Sequence, residues 1–420
     1  MNNGTIPFVG LRGRLLAMTA LSGLCAAGVV LSASDTQAAG FALKEQSAAA
    51  QGNSFAGATA GAEDVTYMFF NPAALALIDE NQIGGVLSYI DVTADTNNAN
   101  SAIFGDDTAS GGGSAIVPAI YGMWSISSDL KLGLGINVPF GLSTSYPQDW
   151  AGQFYAIESE IHSININPVL SYRFNDMFSV AAGLQIQTVE VNLSNTLPVE
   201  GFPLFEVEGD DWGYGFNLGA MIEFSEGTRL GLAYRSRIVH ELSGTATVAS
   251  AVSTGATADF TSPDTASIGF YHEFTPQWAV MAEAAWTGWS TFDEIRIEMA
   301  ENIGLGPTAV VEENWDDSWF YGAGLTWRPT PQWSIRTGVA FDQSPIPDAT
   351  RTPRIPGNDR TWVSLGAGFE VSPAFKIDAG YTHILVDDGN VELNTGTPGE
   401  FTATFENSVD IITVQGIFKF

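Results

Sequence analysis

From about Gln82 to Phe420 the chain alternates with period two. In the last segment Ile412, Val414, Gly416, Phe418 and Phe420 share one parity, and Thr413, Gln415 and Lys419 take the other, with Ile417 an apolar intruder on the polar side. This is the signature of strands with two unlike faces. Val363, Leu365, Ala367, Phe369 and Val371 alternate with Ser364, Gly366, Gly368 and Glu370. Phe375, Ile377, Ala379 and Tyr381 alternate with Lys376, Asp378 and Thr382, and Trp333, Ile335 and Val339 with Ser334, Arg336 and Gly338. Leu230, Leu232 and Tyr234 alternate with Arg229, Arg235 and Arg237. The apolar parity must meet a second sheet in a soluble sandwich, or lipid in a membrane barrel whose polar parity lines the lumen.

Three features favour the barrel. Trp278, Trp286, Trp289, Trp319, Tyr321, Trp327, Trp333 and Trp362 fall near strand ends, as interfacial girdles do. Short connections, such as Asn175-Asp176, Thr275-Pro276 and Ser372-Pro373, alternate with long ones near 92–113, 195–211, 244–264, 291–316, 343–359 and 386–405. The chain ends in an aromatic, Phe420, the signal read by the barrel-assembly machinery. The pattern predicts about fourteen strands, and an even number with both ends on one side is what a closed antiparallel barrel requires.

Only 15% of residues are charged, 11% are aromatic, and no apolar run after the N-terminus is long enough for a spanning helix. Residues 1–38 read as a signal peptide: Arg12 and Arg14, then an apolar stretch from Leu15 to Leu31, then Thr36-Gln37-Ala38 before Ala39. Cys25, the single cysteine, lies within it, so the mature chain has no thiol for disulfides, zinc–thiolate sites or nucleophilic catalysis. The formal charge is −31, which excludes a nucleic-acid partner. The acids cluster in the polar connections, where they are solvated or bridge loops, or lipopolysaccharide, through divalent cations. His162, His240, His272 and His383 lie in separate strands. Neither a metal-ligand spacing, a phosphate loop nor a nucleophile elbow is present, so no enzyme, cofactor or metal is expected.

Two stretches break the alternation. Residues 39–80 are rich in small residues and end in Asn71-Pro72-Ala73-Ala74-Leu75, where Asn suits an N-cap and Pro the first helical position. This stretch reads as a plug, with 81–420 as the wall. In the third strand, Pro139 and Gly141 flank Phe140. A proline without a ladder N–H marks either the strand's end at the membrane boundary or an opening in the wall.

The chain resembles the FadL-type outer-membrane transporters of long-chain fatty acids and other hydrophobic compounds. The likeness is carried by Ala39-Gly40-Phe41-Ala42-Leu43, Asn71-Pro72-Ala73, Tyr234-Arg235-Ser236, Trp286-Thr287-Gly288-Trp289-Ser290, Phe341-Asp342-Gln343-Ser344-Pro345 and Arg351-Thr352-Pro353-Arg354-Ile355-Pro356. It implies an all-β membrane protein, a barrel of about fourteen strands plugged by a small N-terminal helical hatch, in the outer membrane of a Gram-negative bacterium. It implies that Asn71, Pro72 and Ala73 sit against a kinked third strand at Pro139, Phe140 and Gly141, and that Phe41 lies near the inner ligand site. Substrate then diffuses passively through loops and lumen and leaves sideways into the membrane. The partners implied are a hydrophobic small molecule, outer-membrane lipids and lipopolysaccharide, with the barrel a monomer. The fatty-acid members carry basic residues after the fifth strand and before the tenth, whereas 188–196 and 306–314 here hold neither Lys nor Arg. Arg235 and Arg237 on a lumen face, or Arg351 and Arg354 from a loop, stand in as carboxylate ligands or else form structural ion pairs. The expected cargo is a long-chain fatty acid, with neutral hydrocarbons such as monoaromatics as the alternative and a structural or adhesive barrel as the reading from another class.

Overall fold

The computed structural model describes residues 40–101, 103, 105–304, 306–394 and 399–420; the expected signal peptide lies outside them. Fourteen strands form one closed antiparallel wall. They are β1 (Gln82–Ser101), β2 (Gly113–Ser125), β3 (Leu130–Asn137), β4 (Glu158–Arg173), β5 (Phe178–Thr196), β6 (Leu204–Ser225) and β7 (Thr228–Arg235). After them come β8 (Thr265–Thr275), β9 (Trp278–Thr287), β10 (Ser318–Thr330), β11 (Trp333–Asp342), β12 (Arg360–Ser372), β13 (Phe375–Val386) and β14 (Glu400–Lys419). Each strand pairs with the next, and β14 returns to β1 through a ladder from Gln82↔Lys419 to Asp95↔Glu406. Closure leaves no sheet edge in lipid. None of the described helices is long and apolar enough to cross a membrane.

The two parities behave as two surfaces. On β14, Ile412, Val414 and Phe418 are exposed, whereas Ile411, Thr413, Gln415 and Ile417 are buried inside. Ile417 is no error of pattern, because it meets Val65 of the plug across Gly84. The lumen is filled with protein at this level, so an inward apolar side chain is welcome there. At the turn end an aromatic belt includes the stacked pair Trp278 and Trp327, with centroids 5.7 Å apart. Two of the expected girdle residues do not face lipid. Trp289 and Trp362 are each 1% exposed and face inward, and Trp362 packs edge-on against Phe55 of the plug.

At the other end the expected long loops are partly strand. The segments Ile238–Val248 and Val252–Ser262 form a hairpin beyond β7 and β8, and Glu294–Met299 pairs with Thr308–Glu312 beyond β9. These extensions are rich in Gly, Ala and Thr and lack a long apolar parity, so they read as connections although the ladder continues.

The plug folds as a string of single turns: α1 (Ala48–Gln51) and 3₁₀ turns at Ala58–Ala60, Val65–Phe69 and Pro72–Leu77. Side chains cap them as the sequence suggests. Ser47 accepts the amide of Ala50, Asp64 that of Thr66, and Asn71 that of Ala73, with Pro72 at the first helical position. Turns this short are not stable alone; the wall holds them. Glycines on the lumen face allow backbone-to-backbone approach. A Cβ on Gly231 would lie 1.9 Å from the Thr59 carbonyl oxygen, and one on Gly338 would lie 2.1 Å from the Asn53 carbonyl.

A buried ionic cluster fixes the plug's midpoint. Arg336 donates to Asp378 at 2.9 Å and to Glu63 at 2.6 Å. Lys376 lies 3.1 Å from Asp378 and 3.4 Å from both Glu63 and Asp64, and Gln415 donates to Asp64 and Asp378. Burial works against the charge on Glu63, but Arg336, Lys376 and Arg328 outweigh it and hold its carboxyl well below the usual range. Replacing Arg336 by Leu should cost about 3–5 kcal/mol, because Glu63 and Asp378 lose their shared partner in a buried site. The expected readout is faster amide exchange across the plug, with the barrel's heat-modifiable gel mobility retained.

Glu45 has the opposite balance. Burial pushes its carboxyl up to about 7, against the nearby Lys44 and with help from Asp342. The folded protein therefore binds this proton more tightly than the unfolded chain. Its contribution to stability is complete below the model-peptide value of 4.5 and is lost as pH rises through about 7. Glu45→Gln should raise stability near pH 8 by roughly 3 kcal/mol and leave it nearly unchanged at about pH 4; melting curves at the two pH values check this.

Candidate functional site: a break in the wall and two cavities

Strand β3 does not reach the loop end intact. Its ladder with β4 ends at Asn137↔Asn165 and resumes at Gly141↔His162, so Val138, Pro139 and Phe140 face only Ser163 and Ile164. Pro139 has no N–H to donate, and a three-against-two mismatch bends the strand. Ser163 bridges the fault: its hydroxyl donates to the Phe140 carbonyl at 2.7 Å and accepts the Phe140 amide at 2.9 Å.

On the other side the wall loses a neighbour. The last pair between β2 and β3 is Ile120↔Ile136, and above it Gly113–Ala119 pair with β1 alone. The resumed strand Gly141–Ser145 pairs with β4, and the Ser145 amide reaches the Gly111 carbonyl at 3.4 Å. Between these limits the segment Phe41–Leu43 lies against the break. Leu43 donates its amide to the Pro139 carbonyl at 2.8 Å, and Gly141 donates to the Phe41 carbonyl at 2.9 Å, with Ala42 bridged to Phe140. Gln46 adds a side-chain bond to the Val138 carbonyl at 2.7 Å.

Two cavities flank this contact. The hatch cavity, about 120 Å³, is lined by Leu43, Lys44, Phe55, Phe69, Phe70 and Pro72 of the plug, by Pro139 and Phe140, and by Arg235, Glu283 and Phe320 of the wall. The loop-side cavity, about 70 Å³, is lined by Leu142, Ile161, Val191, Leu242, Phe260, Phe292, Ile297 and Ile355, with Glu313 and Arg354 as polar members. Phe41 forms the partition. Its ring touches Phe140 on one side and Phe260 and Phe292 on the other, with Trp289 and Trp315 also in contact at centroid distances of 4.7 to 6.1 Å.

The expected site residues separate accordingly. Phe41, Pro139, Phe140 and Gly141 meet at the break. Asn71 and Ala73 do not touch it. Asn71 donates to the carbonyls of Thr59 and of Ala220 on β6, and Pro72 faces the break only across the hatch cavity. The segment against the kink is therefore Phe41–Leu43. Arg235 points inward, bonded to Gln185 and to the Phe69 carbonyl. Arg237 points outward, 53% exposed and paired with Asp264 at 3.0 Å. The reason is a slip: β7 pairs Arg235 with Asn217, whereas its continuation pairs Ser243 with Asp210, one residue out of register. A one-residue slip exchanges the two faces. Arg351 is consumed by its own loop, through the carbonyls of Ile346 and Gly357 and the carboxylate of Asp348, and by the Asn390 carbonyl of the next connection.

Arg354 does enter the loop-side cavity. It donates to the Glu158 carbonyl, the Ser159 hydroxyl and Asn195. Burial pushes its guanidinium down to about 10, opposed by Glu313. Burial pushes Glu313 up to about 7, although the Trp315 indole N–H and Arg354 favour its charged form. Glu313, Lys44 and Trp315 were not singled out from sequence. Glu313 sits in an acidic run that reads as solvated, and only its neighbour Trp315 hints at burial.

A family model described as outer membrane protein transport protein (OMPP1/FadL/TodX) matches residues 29–420. This chain belongs to that family. It is an outer-membrane transport protein, not an enzyme. It is 29% identical over 394 residues to the 47 kDa outer membrane protein of Pasteurella multocida, covering 86% of this chain and 90% of that one. It is 25% identical over 404 residues to the long-chain fatty acid transport protein of Escherichia coli, with the same coverage. The crystal structure of a Pseudomonas aeruginosa FadL homologue superposes with a TM-score of 0.83 at 25% identity, covering 90% of this chain and 99% of that one. The Pseudomonas putida toluene transporter TodX shares the fold, with a TM-score of 0.68 at 15% identity, over 90% of this chain and 99% of its own.

The contrast between two loop-side arginines gives a test. Arg351→Ala removes the donor to the buried carbonyls of Ile346 and Gly357, at about 1–3 kcal/mol, and should speed proteolysis within 343–359. Arg237→Gln, on the outer surface, should change neither proteolysis nor ligand binding.

Proposed function

We propose that this family member carries long-chain fatty acids by passive diffusion: from the loops into the loop-side cavity, past Phe41 into the hatch cavity, and sideways through the break between β2 and β3. One observation carries this reading. Among the described residues the ladder between β2 and β3 stops at Ile120↔Ile136, and the segment beside the break, Phe41–Leu43, carries the ring that packs between Phe140 of one cavity and Phe260 and Phe292 of the other. A ligand that displaces Phe41 also removes backbone bonds from the break. Entry and exit are then linked without an energy source. The fatty-acid name of the Escherichia coli relative supports the cargo. Lateral exit also spares an apolar chain from crossing periplasmic water.

A second reading, neutral hydrocarbons, rests on Glu313. The loop-side cavity offers a carboxylate one guanidinium, Arg354, already engaged with three neutral acceptors, and sets a buried carboxyl in the same space. Such a cavity is close to neutral overall and also accepts cargo with no head group.

Oleate and toluene uptake by a deletion strain, with and without the gene, separates the two readings; no change in either overturns transport. Deleting Pro139 restores a two-against-two register opposite Ser163 and Ile164. Uptake should then fall at least tenfold, about 1.4 kcal/mol on the passage, while the barrel stays folded. Undiminished uptake in this variant rules out exit at the break.

A further inference from the structure

Beyond the membrane level part of the wall continues as a sheet, and that sheet stops at an open edge. From β5 and β6 it runs through Ile238–Val248, Val252–Ser262 and Glu294–Met299 to Thr308–Glu312. In the last ladder Met299 donates its amide to the Pro307 carbonyl at 2.8 Å, and Glu313 donates to the Asp293 carbonyl at 2.9 Å. Bonded pairs alternate along an antiparallel ladder. Ala309 and Val311 therefore turn their backbone groups inward, and Thr308, Val310 and Glu312 turn theirs away. Among the described residues no strand pairs with this far side. Pro307 bounds the edge at one end, and the Thr350 hydroxyl takes the Glu313 carbonyl at the other. Between them the outward amides and carbonyls form a template for a further strand.

The two faces beside this edge differ. On one, Ile297 and Met299 are buried with Leu197 and Phe205, Ala309 packs against them, and Val311 is left 38% exposed at the rim. On the other, the register gathers Glu241, Asp259, Glu294, Glu298 and Glu312. Arg296, the cation among them, is spent on Glu294 at 2.6 Å. Glu241 and Asp259 stand directly opposite each other across their ladder, where like charges repel. Glu298 and Glu312 flank the open edge and are exposed.

We propose that Thr308–Glu312 is a docking edge for an extended basic peptide, which adds to the loop-side sheet as its next strand. Main-chain hydrogen bonds to Thr308, Val310 and Glu312 hold it, and alternate side chains set its specificity. Peptide residues opposite Thr308, Val310 and Glu312 fall on the acidic face and are Lys or Arg. Those opposite Ala309 and Val311 fall beside the apolar rim and are Val, Ile or Leu. A second copy of this chain is a poor occupant, because its edge would bring Glu298 and Glu312 against the same acids. The edge does not depend on what the lumen carries.

The test is fluorescence anisotropy of a short labelled peptide of alternating lysine and valine, added to the purified barrel in phosphatidylcholine nanodiscs. This peptide should bind. The same peptide N-methylated at its lysine amides, with its charge unchanged, should not. Val310→Pro removes the central outward amide and none that serves Glu294–Met299. It should weaken binding about tenfold, as losing a main-chain hydrogen bond does, with the barrel's heat-modifiable gel mobility retained. Glu298→Gln with Glu312→Gln should weaken it about as much and flatten its salt dependence. Equal binding of the N-methylated peptide, or binding indifferent to Val310→Pro, shows adsorption to acidic loops and overturns the docking edge. Absence of binding to the wild-type barrel overturns it too. So does a wild-type barrel that sediments as a dimer and becomes monomeric with Val310→Pro, which gives the edge to a second copy.

Discussion

In the hydrocarbon of a bilayer no water is available to satisfy a backbone N–H or C=O, so every such group must find its partner in the protein. Closure of β14 onto β1 answers this for nearly the whole circumference. The fault in β3 is the place where the ladder cannot answer it, because Pro139 has nothing to donate and β2 has lost its neighbour. At the fault itself, Phe41 and Leu43 bond to Gly141 and Pro139, and one serine hydroxyl serves Phe140. The position of the plug follows from that need. Phe41–Leu43 must reach the fault, the ionic cluster around Arg336 holds the middle, and Asn71 ties the last turn to β6.

The lumen is built on two different principles. Around the plug it is a packed interior: lumen glycines admit backbone, Ile417 and Trp362 face inward as core residues, and charges are buried in compensated groups. Around the break it is open, with aromatic rings in place of a ladder. Rings make many weak contacts and few directional ones, so they can part and re-form without stranding a polar group. The backbone of the same segment is directional: Phe41 and Leu43 share two hydrogen bonds with the break, at Gly141 and Pro139.

Much of the wall was legible in the sequence, because alternation is a local property and each strand carries its own parity. Strand existence, the inward course of Arg336, Lys376 and Asp378, and the irregularity at Pro139 all follow from neighbours two residues apart. The remainder depends on pairings that parity cannot report. The one-residue slip beyond Ser236 reverses the faces, so two arginines of one parity end on opposite sides. Trp289 and Trp362 look like girdle residues until the wall's curvature and the plug place them inside. The family resemblance points to Asn71-Pro72-Ala73 at the kink, whereas the hydrogen bonds to it come from Phe41–Leu43, nearly a hundred residues before Pro139. Lys44 and Glu313 are single charges whose meaning comes from what surrounds them in space.

The fault in β3 behaves like a dislocation in a crystal. One row carries an extra unit, and the strain is confined to the end of that row. Such a defect glides only if each position along the row is equivalent. Here the positions are not: the residue without an N–H occurs once, and the hydroxyl that serves Phe140 occurs opposite it. The defect is therefore pinned. The ladders on either side of it are regular, up to Asn137↔Asn165 and again from Gly141↔His162.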